Sequence, residues 1–325
     1  MKIGLIDVDG HGFPNIPLMK ISAYHKKKGD HVEWYEPMFS GHMDIVYMSK
    51  VFSFTEDYEM CIDADRIITG GSGYAIRLDG GMEIYDNWKD TPLPPEIEHI
   101  YPDYSIYKEL TGWHKKKSQQ TAFGFLSRGC PRGCKFCHVE AKEGRKSYKV
   151  ADLKEFWNGQ GNIVLCDPNI LACKEWKDLL QQLVKSGAWI DINQGLDIRL
   201  MTEEKAEMLK QLKIKNFHFA WDRYQDKDKI IPKFEMFKQI TGIDKRKLGV
   251  YVLCGFDTTI EQDLERIYLL RDIGYSPYVM LYNKQHIPRG HELRKMARWC
   301  NNRWIFAKCN TFEEYNRKNW RAENA

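Results

Sequence analysis

Apolar and polar residues come in short, evenly spaced bursts along this chain. Lys2 to Val8 is apolar and compatible with a strand. Past the turn residues Gly10, Gly12 and Pro14, the stretch Ile16 to Lys28 places Ile16, Met19 and Ala23 on one helical face, and Gly29 ends it. His31 to Tyr35, Asp44 to Met48 and Arg66 to Thr69 predict further strands. From Thr121 the rhythm becomes regular. Strands are predicted at Thr121 to Leu126, Asn162 to Cys166, Trp189 to Asn193, Asn216 to Trp221, Leu248 to Cys254 and Tyr278 to Tyr282, with helical stretches between them. Leu179, Leu180, Leu183 and Val184 share one face, closed by Gly187. Thr202 caps a helix that has Glu203 and Glu204 in its first turn. Thr259 and Gln262 form a capping box ahead of Leu264, Ile267 and Leu270, and Gly274 stops that helix.

Six such strand–helix repeats predict an α/β fold with a parallel sheet. Right-handed crossovers curl such a sheet toward a barrel, here two units short of the eight in a full TIM barrel. The expected organisation is a small Rossmann-like α/β domain over 1–90, a linker over 91–120, a six-unit parallel β/α partial barrel over 121–287 and a basic extension over 288–325. Pro92, Pro94, Pro95 and Pro102 predict that the linker is extended, and Lys115 to Lys117 forms a basic run within it.

Composition narrows the class. The chain has 325 residues, 43% apolar and 29% charged, enough for two globular domains with sizeable cores. No apolar run reaches the ~20 residues of a membrane-spanning helix. The acidic N-terminal stretch lacks the small-residue cleavage site of a signal peptide, so a cytoplasmic protein is expected. Nine cysteines, an odd number with three clustered, favour a reduced compartment and metal chemistry over a disulfide framework.

Those three are Cys130, Cys134 and Cys137, spaced Cys-x3-Cys-x2-Cys immediately after the first barrel strand. Three thiolates so close suit a 4Fe-4S cluster that leaves one iron open to another molecule. A zinc site completed by His138 or a distant cysteine is the structural alternative, although no second Cys-x2-Cys knuckle exists. The other predicted strands also end in polar groups: Asp167-Pro168-Asn169, Asn193-Gln194 with Asp197 and Arg199, Asp222, Asp257 and Asn283. Function in β/α barrels gathers at these C-terminal ends. Asp and Asn also cap helices, the plainer explanation for any one of them.

The run Cys130-Pro-Arg-Gly-Cys134-Lys-Phe136-Cys137, placed after the first strand of a six-unit pattern, resembles the radical S-adenosylmethionine (radical SAM) superfamily over roughly 121–283. The resemblance implies that Cys130, Cys134 and Cys137 ligate a 4Fe-4S cluster whose open iron chelates the amino and carboxylate groups of S-adenosylmethionine. Reduction by a donor such as flavodoxin or ferredoxin would cleave the sulfonium to a 5′-deoxyadenosyl radical, which takes a hydrogen from the substrate. The sequence does not name that substrate. By the same resemblance Phe136 lies beside the adenine, and Asp167 and Asn169 replace the usual Gly-Gly-Glu contact to the methionine amino group. Gln194 and Arg199 suit ribose and carboxylate contacts, and Tyr282 lies at the end of the sixth strand. Cys166 and Cys254, at strand ends, are the weak catalytic candidates as hydrogen-atom donors.

Two further segments bear on function. Asp9-Gly10-His11-Gly12-Phe13-Pro14 resembles the Asp-x-His-x-x-Gly element of the cobalamin-binding subfamily, with Pro14 in place of the glycine. A degenerate, cofactor-free domain is the preferred reading, and a cobalamin-dependent methyltransferase is the alternative. Pro288 to Ala325 carries nine Lys or Arg against four Asp or Glu, mixed with aromatics. Such mixtures suit nucleic acid, and equally an amphipathic helix that covers the barrel, which is the preferred reading. The rival from another class is a non-catalytic metal-cluster protein that binds nucleic acid through this tail.

Overall fold

Alternation within the first strand, β1 (Lys2–Asp7), decides how the N-terminal sheet is covered. Ile3 and Leu5 point to one face and Ile6 to the other. The first pair packs with Ile45, with Leu18 and Ile21 of helix α1 (Ile16–Lys27) and with Ile97. Ile6 packs with Tyr35, Met43, Val46 and Met48. α1 starts where Asn15 accepts from Leu18 N, with Pro17 in its first turn. Strands β2 (His31–Trp34), β3 (Met43–Ser49) and β4 (Ala64–Gly70) complete a parallel sheet of order β2-β1-β3-β4. Its register pairs Lys2 with His31, Ile3 with Ile45 and Met43 with Ala64.

In this computed structural model residues 1–10, 12–79, 82–107 and 120–317 are described. His11 and the basic run Lys115 to Lys117 fall outside them. Two units divide the chain, Met1–Asp191 and Ile192–Ala325.

After β4 the first unit continues with features the sequence pattern does not announce. A short helix α2 (Ser72–Ala75) leads into an antiparallel hairpin, β5 (Ile76–Asp79) with β6 (Met82–Tyr85). The proline-rich segment differs from the expected extended linker. It holds a helical turn α3 (Pro95–Glu98), a 3-10 turn over Tyr104–Tyr107, and the buried side chains of Ile97, Tyr104 and Tyr107. The reason lies in its polar groups, which find partners on both sides. Asp103 accepts from Ser22 Oγ and Lys26 Nζ, each at 2.7 Å. Tyr107 Oη accepts from Asn15 N at 2.7 Å and donates to Asp7 Oδ2 at 3.0 Å. Tyr104 Oη accepts from Phe123 N at 3.0 Å and donates to Phe156 O at 2.8 Å.

Phe123 belongs to β7 (Thr121–Gly124), whose residues are all buried. β8 (Ser127–Arg128), α4 (Val139–Glu143) and β9 (Tyr148–Lys149) follow, with β8 and β9 antiparallel. β10 (Asn162–Leu165) returns parallel to β7, pairing Asn162 with Thr121 and Leu165 with Gly124. α5 (Trp176–Ser186) ends at Gly187 in the left-handed region and leads to β11 (Trp189–Ile192), which lies beside β10.

The second unit contains α6 (Glu203–Lys210), capped by Thr202, then β12 (Lys213–Ile214), β13 (Phe217–Ala220) and α7 (Lys227–Thr241). α7 fills the helical stretch expected between β13 and β14, with Pro232 inside it interrupting the hydrogen-bond ladder. β14 (Leu248–Cys254), α8 (Ile260–Asp272) with the expected capping box, and β15 (Ser276–Leu281) follow. The sheet β13-β14-β15 is parallel, pairing Phe217 with Leu248 and Gly249 with Ser276. Leu248, Val250, Val252 and Cys254 are buried, while Gly249, Tyr251 and Leu253 between them are half-exposed. Phe217 and Phe219 meet Phe237 of α7 edge-on at 5.3 and 5.1 Å.

The tail forms α9 (Glu292–Asn301), α10 (Arg303–Lys308) and α11 (Phe312–Arg317), with Met296, Trp299, Ile305 and Phe312 buried. Asn301 acts as a strand substitute: its Oδ1 accepts from Val279 N at 2.7 Å and its Nδ2 donates to Val279 O at 2.9 Å. Edge strand β15 thereby has part of its open backbone satisfied. Among the described residues no helix is long and apolar enough to cross a membrane.

Asp7 gives a pH test of the first unit. Burial pushes its carboxyl up to about 7, opposed by the Tyr107 hydrogen bond. Between the unfolded value near 3.8 and about 7 the folded state binds more protons than the unfolded state, so stability falls as pH rises through that window and is level above it. Urea unfolding across that range should show this fall in the native protein. Asp7→Asn should abolish it and leave the protein more stable at pH 8; an unchanged pH profile contradicts the assignment.

Candidate metal centre

The cysteine loop begins where β7 ends. Leu126 and Ser127 turn the chain out of the sheet, and their N–H groups are claimed by Asp167 at the end of β10. Leu126 N donates to Oδ1 at 3.0 Å; Ser127 N and Oγ donate to Oδ2 at 2.5 and 2.6 Å. Asp167 is fully buried. Burial pushes its carboxyl up to about 6, against the pull of these three donors. Asp167, expected at a methionine amino group, thus also fixes the entrance of the loop.

Next, Glu143 of α4 reaches back to the start of the loop, accepting from Gly129 N at 2.9 Å and from Arg128 Nη1 at 2.7 Å. Arg128 stacks over Phe125 at 3.7 Å. Gly129 has φ +81°, and a Cβ there would run into the carbonyl oxygen of Lys146, so only glycine fits. Cys130 N donates to Gly144 O at 3.2 Å, and Cys137 N to Cys134 O at 2.9 Å. These bonds fold the loop back on itself.

All three thiols are partly exposed. Burial pushes the Cys137 thiol up to about 11, with Cys134 and Cys130 adding to the shift. Asn169 Nδ2 donates to Cys130 Sγ at 3.6 Å. This amide, expected near the methionine amino group, lies against a sulfur. Half-buried Phe136 lies between the last two cysteines. Among the described residues no three His, Cys, Asp or Glu side chains converge as ligands of a single metal ion. Thiolates of a 4Fe-4S cluster each take a different iron and stand further apart than ligands of one ion. Three sulfurs on one hydrogen-bonded loop, with an amide donor at one of them, fit such a cluster.

The loop is anchored outward as well. His138 Nδ1 pairs with Glu83 of β6 at 2.6 Å, and Lys142 Nζ donates to Ser72 Oγ at 2.5 Å. Sequence reasoning missed Glu83, Glu143 and Arg128. Glu143 lies 14 residues beyond Gly129, and Glu83 lies 55 residues before His138, separations that no local pattern signals.

Cys166 follows β10, its N donating to Gly124 O at 3.0 Å. Burial pushes its thiol up to about 12, with Asp167 and Asp191 adding to the shift and Arg128 opposing it. The group is therefore an S–H at neutral pH.

In the second unit the expected ligands differ in their freedom. Gln194 is exposed and forms no hydrogen bond with another described residue. Arg199 is committed: Nε donates to Asp197 at 2.8 Å and Nη1 to Asp226 at 3.2 Å, so two carboxylates already balance the charge expected to bind a third. Half-buried Tyr282 sets its ring against Phe256 at 4.7 Å. Cys254 lies on the covered face of β14. Its thiol, raised by burial and by Asp263, points among α8 residues because the period-two alternation puts it with Val250 and Val252. That orientation removes the open-face position expected of a hydrogen-atom donor. Arg266, also missed, is fully buried and ties the ends of β13 and β14 by donating to Trp221 O at 2.6 Å and Leu253 O at 2.7 Å. Nearby Asp222 is pushed up to about 6 by burial, with Arg199 and Arg266 opposing.

No protein-family model matches the chain, and no curated protein matches its sequence. Its fold is similar to that of the radical S-adenosylmethionine methyltransferase TsrM from Kitasatospora setae, whose structure holds cobalamin and a 4Fe-4S cluster. The TM-score is 0.56 at 11% identity, over 86% of this chain and 74% of that one. The chain is thus an α/β protein with parallel sheets that shares its fold with a radical SAM enzyme.

Asp167→Ala should strand the N–H groups of Leu126 and Ser127, costing about 1–3 kcal/mol for each. Urea unfolding of the metal-free protein measures this; a change under about 0.5 kcal/mol, the usual size for an exposed position, would mean that the loop does not depend on Asp167.

Proposed function

We propose that this chain is a radical SAM enzyme whose cluster is held by Cys130, Cys134 and Cys137. One observation carries the reading: three thiols gathered on a hydrogen-bonded loop at the C-terminal end of β7, in a chain that shares its fold with a radical SAM methyltransferase. Cys130, Cys134 and Cys137 would hold a 4Fe-4S cluster, which when bound would supply the electron for reductive cleavage of S-adenosylmethionine and so the radical chemistry by which hydrogen leaves the substrate. The chain supplies position and polarity. Asp167 and Glu143 hold the loop ends. Asn169 offers an N–H to the Cys130 sulfur, and hydrogen bonds to cluster sulfurs tune the reduction potential. Phe136 is the candidate adenine neighbour, and Gln194 and Tyr282 are the second unit's candidates for the nucleotide. The six β/α units read as one partial barrel, the Rossmann-like character of the N-terminal sheet, the cytoplasmic setting and a flavodoxin- or ferredoxin-type donor belong to this proposal.

A cobalamin step does not. Asp9, the acid of the cobalamin-like element, accepts from Val51 N at 2.5 Å, Phe52 N at 3.2 Å and Thr55 Oγ1 at 2.6 Å. These bonds tie Asp9 to the loop that follows β3. Cys166 is retained as a hydrogen-atom donor candidate because its thiol keeps its proton.

Anaerobic reconstitution followed by dithionite reduction tests the reading. The native chain should take up about four irons and release 5′-deoxyadenosine from S-adenosylmethionine. Ala at Cys130, Cys134 or Cys137 should abolish both. A colourless, zinc-loaded protein without cleavage would refute the proposal.

A further inference from the structure

The segment after β15 is basic, and much of it faces solvent. Between Lys284 and Cys309 there are seven Lys or Arg and one acid, Glu292. Arg294 has a structural role, donating to Ile287 O at 2.6 Å and Lys284 O at 2.7 Å, which fixes the loop ahead of α9. Lys284, Arg289, Lys295, Arg298 and Arg303 are exposed, and none forms an ion pair with another described residue.

They follow one another from the loop after β15 through α9 into the first turn of α10. Lys284 and Arg289 lie in the loop at the C-terminal edge of the β13-β14-β15 sheet. Lys295 and Arg298 are neighbours one turn apart on α9, and Arg303 opens α10. The ten residues of α9 alone span about 15 Å. Beyond them Trp304 is 81% exposed. It is no remnant of the packed side, which consists of Met296, Trp299, Cys300 and Ile305, all buried. The strongly exposed Trp88 offers a contrast, since it sits between Asp86 and Asp90 with no such series of cations.

A small anion calls for cations that converge. These are spread over a loop and two successive helices, so their match is a polymer with charges at intervals. An exposed indole adds a flat face on which a base stacks. An acidic protein would match the cations and leave the indole without a purpose. We propose that 284–304 forms a track for single-stranded nucleic acid, its phosphates along Lys284, Arg289, Lys295, Arg298 and Arg303 and one base on Trp304. The track leads to the C-terminal edge of the sheet; that the strand is also the substrate rests on the radical SAM reading, whereas the binding surface does not.

The test is fluorescence anisotropy on the full chain with a fluorescein-labelled single-stranded RNA of about 20 nucleotides, titrated at several KCl concentrations. Binding should weaken steeply with salt. Trp304→Ala should lower affinity about tenfold, and an Arg298→Gln, Arg303→Gln double variant should reduce the logarithmic salt slope by about 1.4, or two phosphates. Circular dichroism checks that both variants fold. Absence of salt-dependent binding, or variants that bind like the native chain, would overturn the proposal. So would flavodoxin binding lost in the same variants without RNA binding, which assigns the surface to an acidic protein. Formation of 5′-deoxyadenosine in the same preparation without RNA reports separately on the radical SAM reading.

Discussion

Asp167 is buried at the end of β10, and its two oxygens take the N–H groups of Leu126 and Ser127 and the Ser127 hydroxyl. These donors open the cysteine loop, so its departure from the sheet is set by a side chain on the neighbouring strand. A buried carboxylate is tolerated only with such partners. Two residues further on, Asn169 directs its amide to Cys130. One short strand end therefore fixes both where the loop starts and what its first sulfur meets. Glu143 closes the loop from its far side. A triad on a free loop would spend binding energy on ordering; this loop is ordered by the protein's own hydrogen bonds.

The same logic organises the rest of the first unit. Tyr107 joins Asp7, at the end of β1, to the start of α1, and Tyr104 joins β7 to Phe156. Both tyrosines lie in the proline-rich segment, only three residues apart. Through them the N-terminal sheet and the strand that launches the cysteine loop share one scaffold. Glu83 and Ser72 add side-chain bonds from the β4–β6 region to His138 and Lys142. The short helix α2 and the β5–β6 hairpin thus brace the segment that follows the cysteine loop through their side chains.

Strands were legible because β1, β10 and β14 show their cores as alternation or short apolar runs, and helices because Thr202, Thr259 and Gln262 sit at their starts. The three cysteines were legible from spacing. Less could be read where a polar residue had several uses. Asp167 and Asn169 stood at the right strand end, but only the three-dimensional register shows that Ser127 and Cys130 are their partners. Arg199 looked available until Asp197 and Asp226 came beside it. Cys254 shows a different limit: counting in twos along β14 places it on the covered face with Val250 and Val252, yet its strand-end position suggested otherwise. The proline-rich segment misled because proline content speaks to backbone shape, not to where Tyr104 and Tyr107 send their hydroxyls.

The central claim is that the three sulfurs hold a cluster with one iron open to S-adenosylmethionine. Low-temperature EPR of the reduced, reconstituted chain tests this directly. The account predicts a 4Fe-4S signal whose g-values shift when S-adenosylmethionine is added. A spectrum indifferent to S-adenosylmethionine, or no reducible cluster at all, would contradict it.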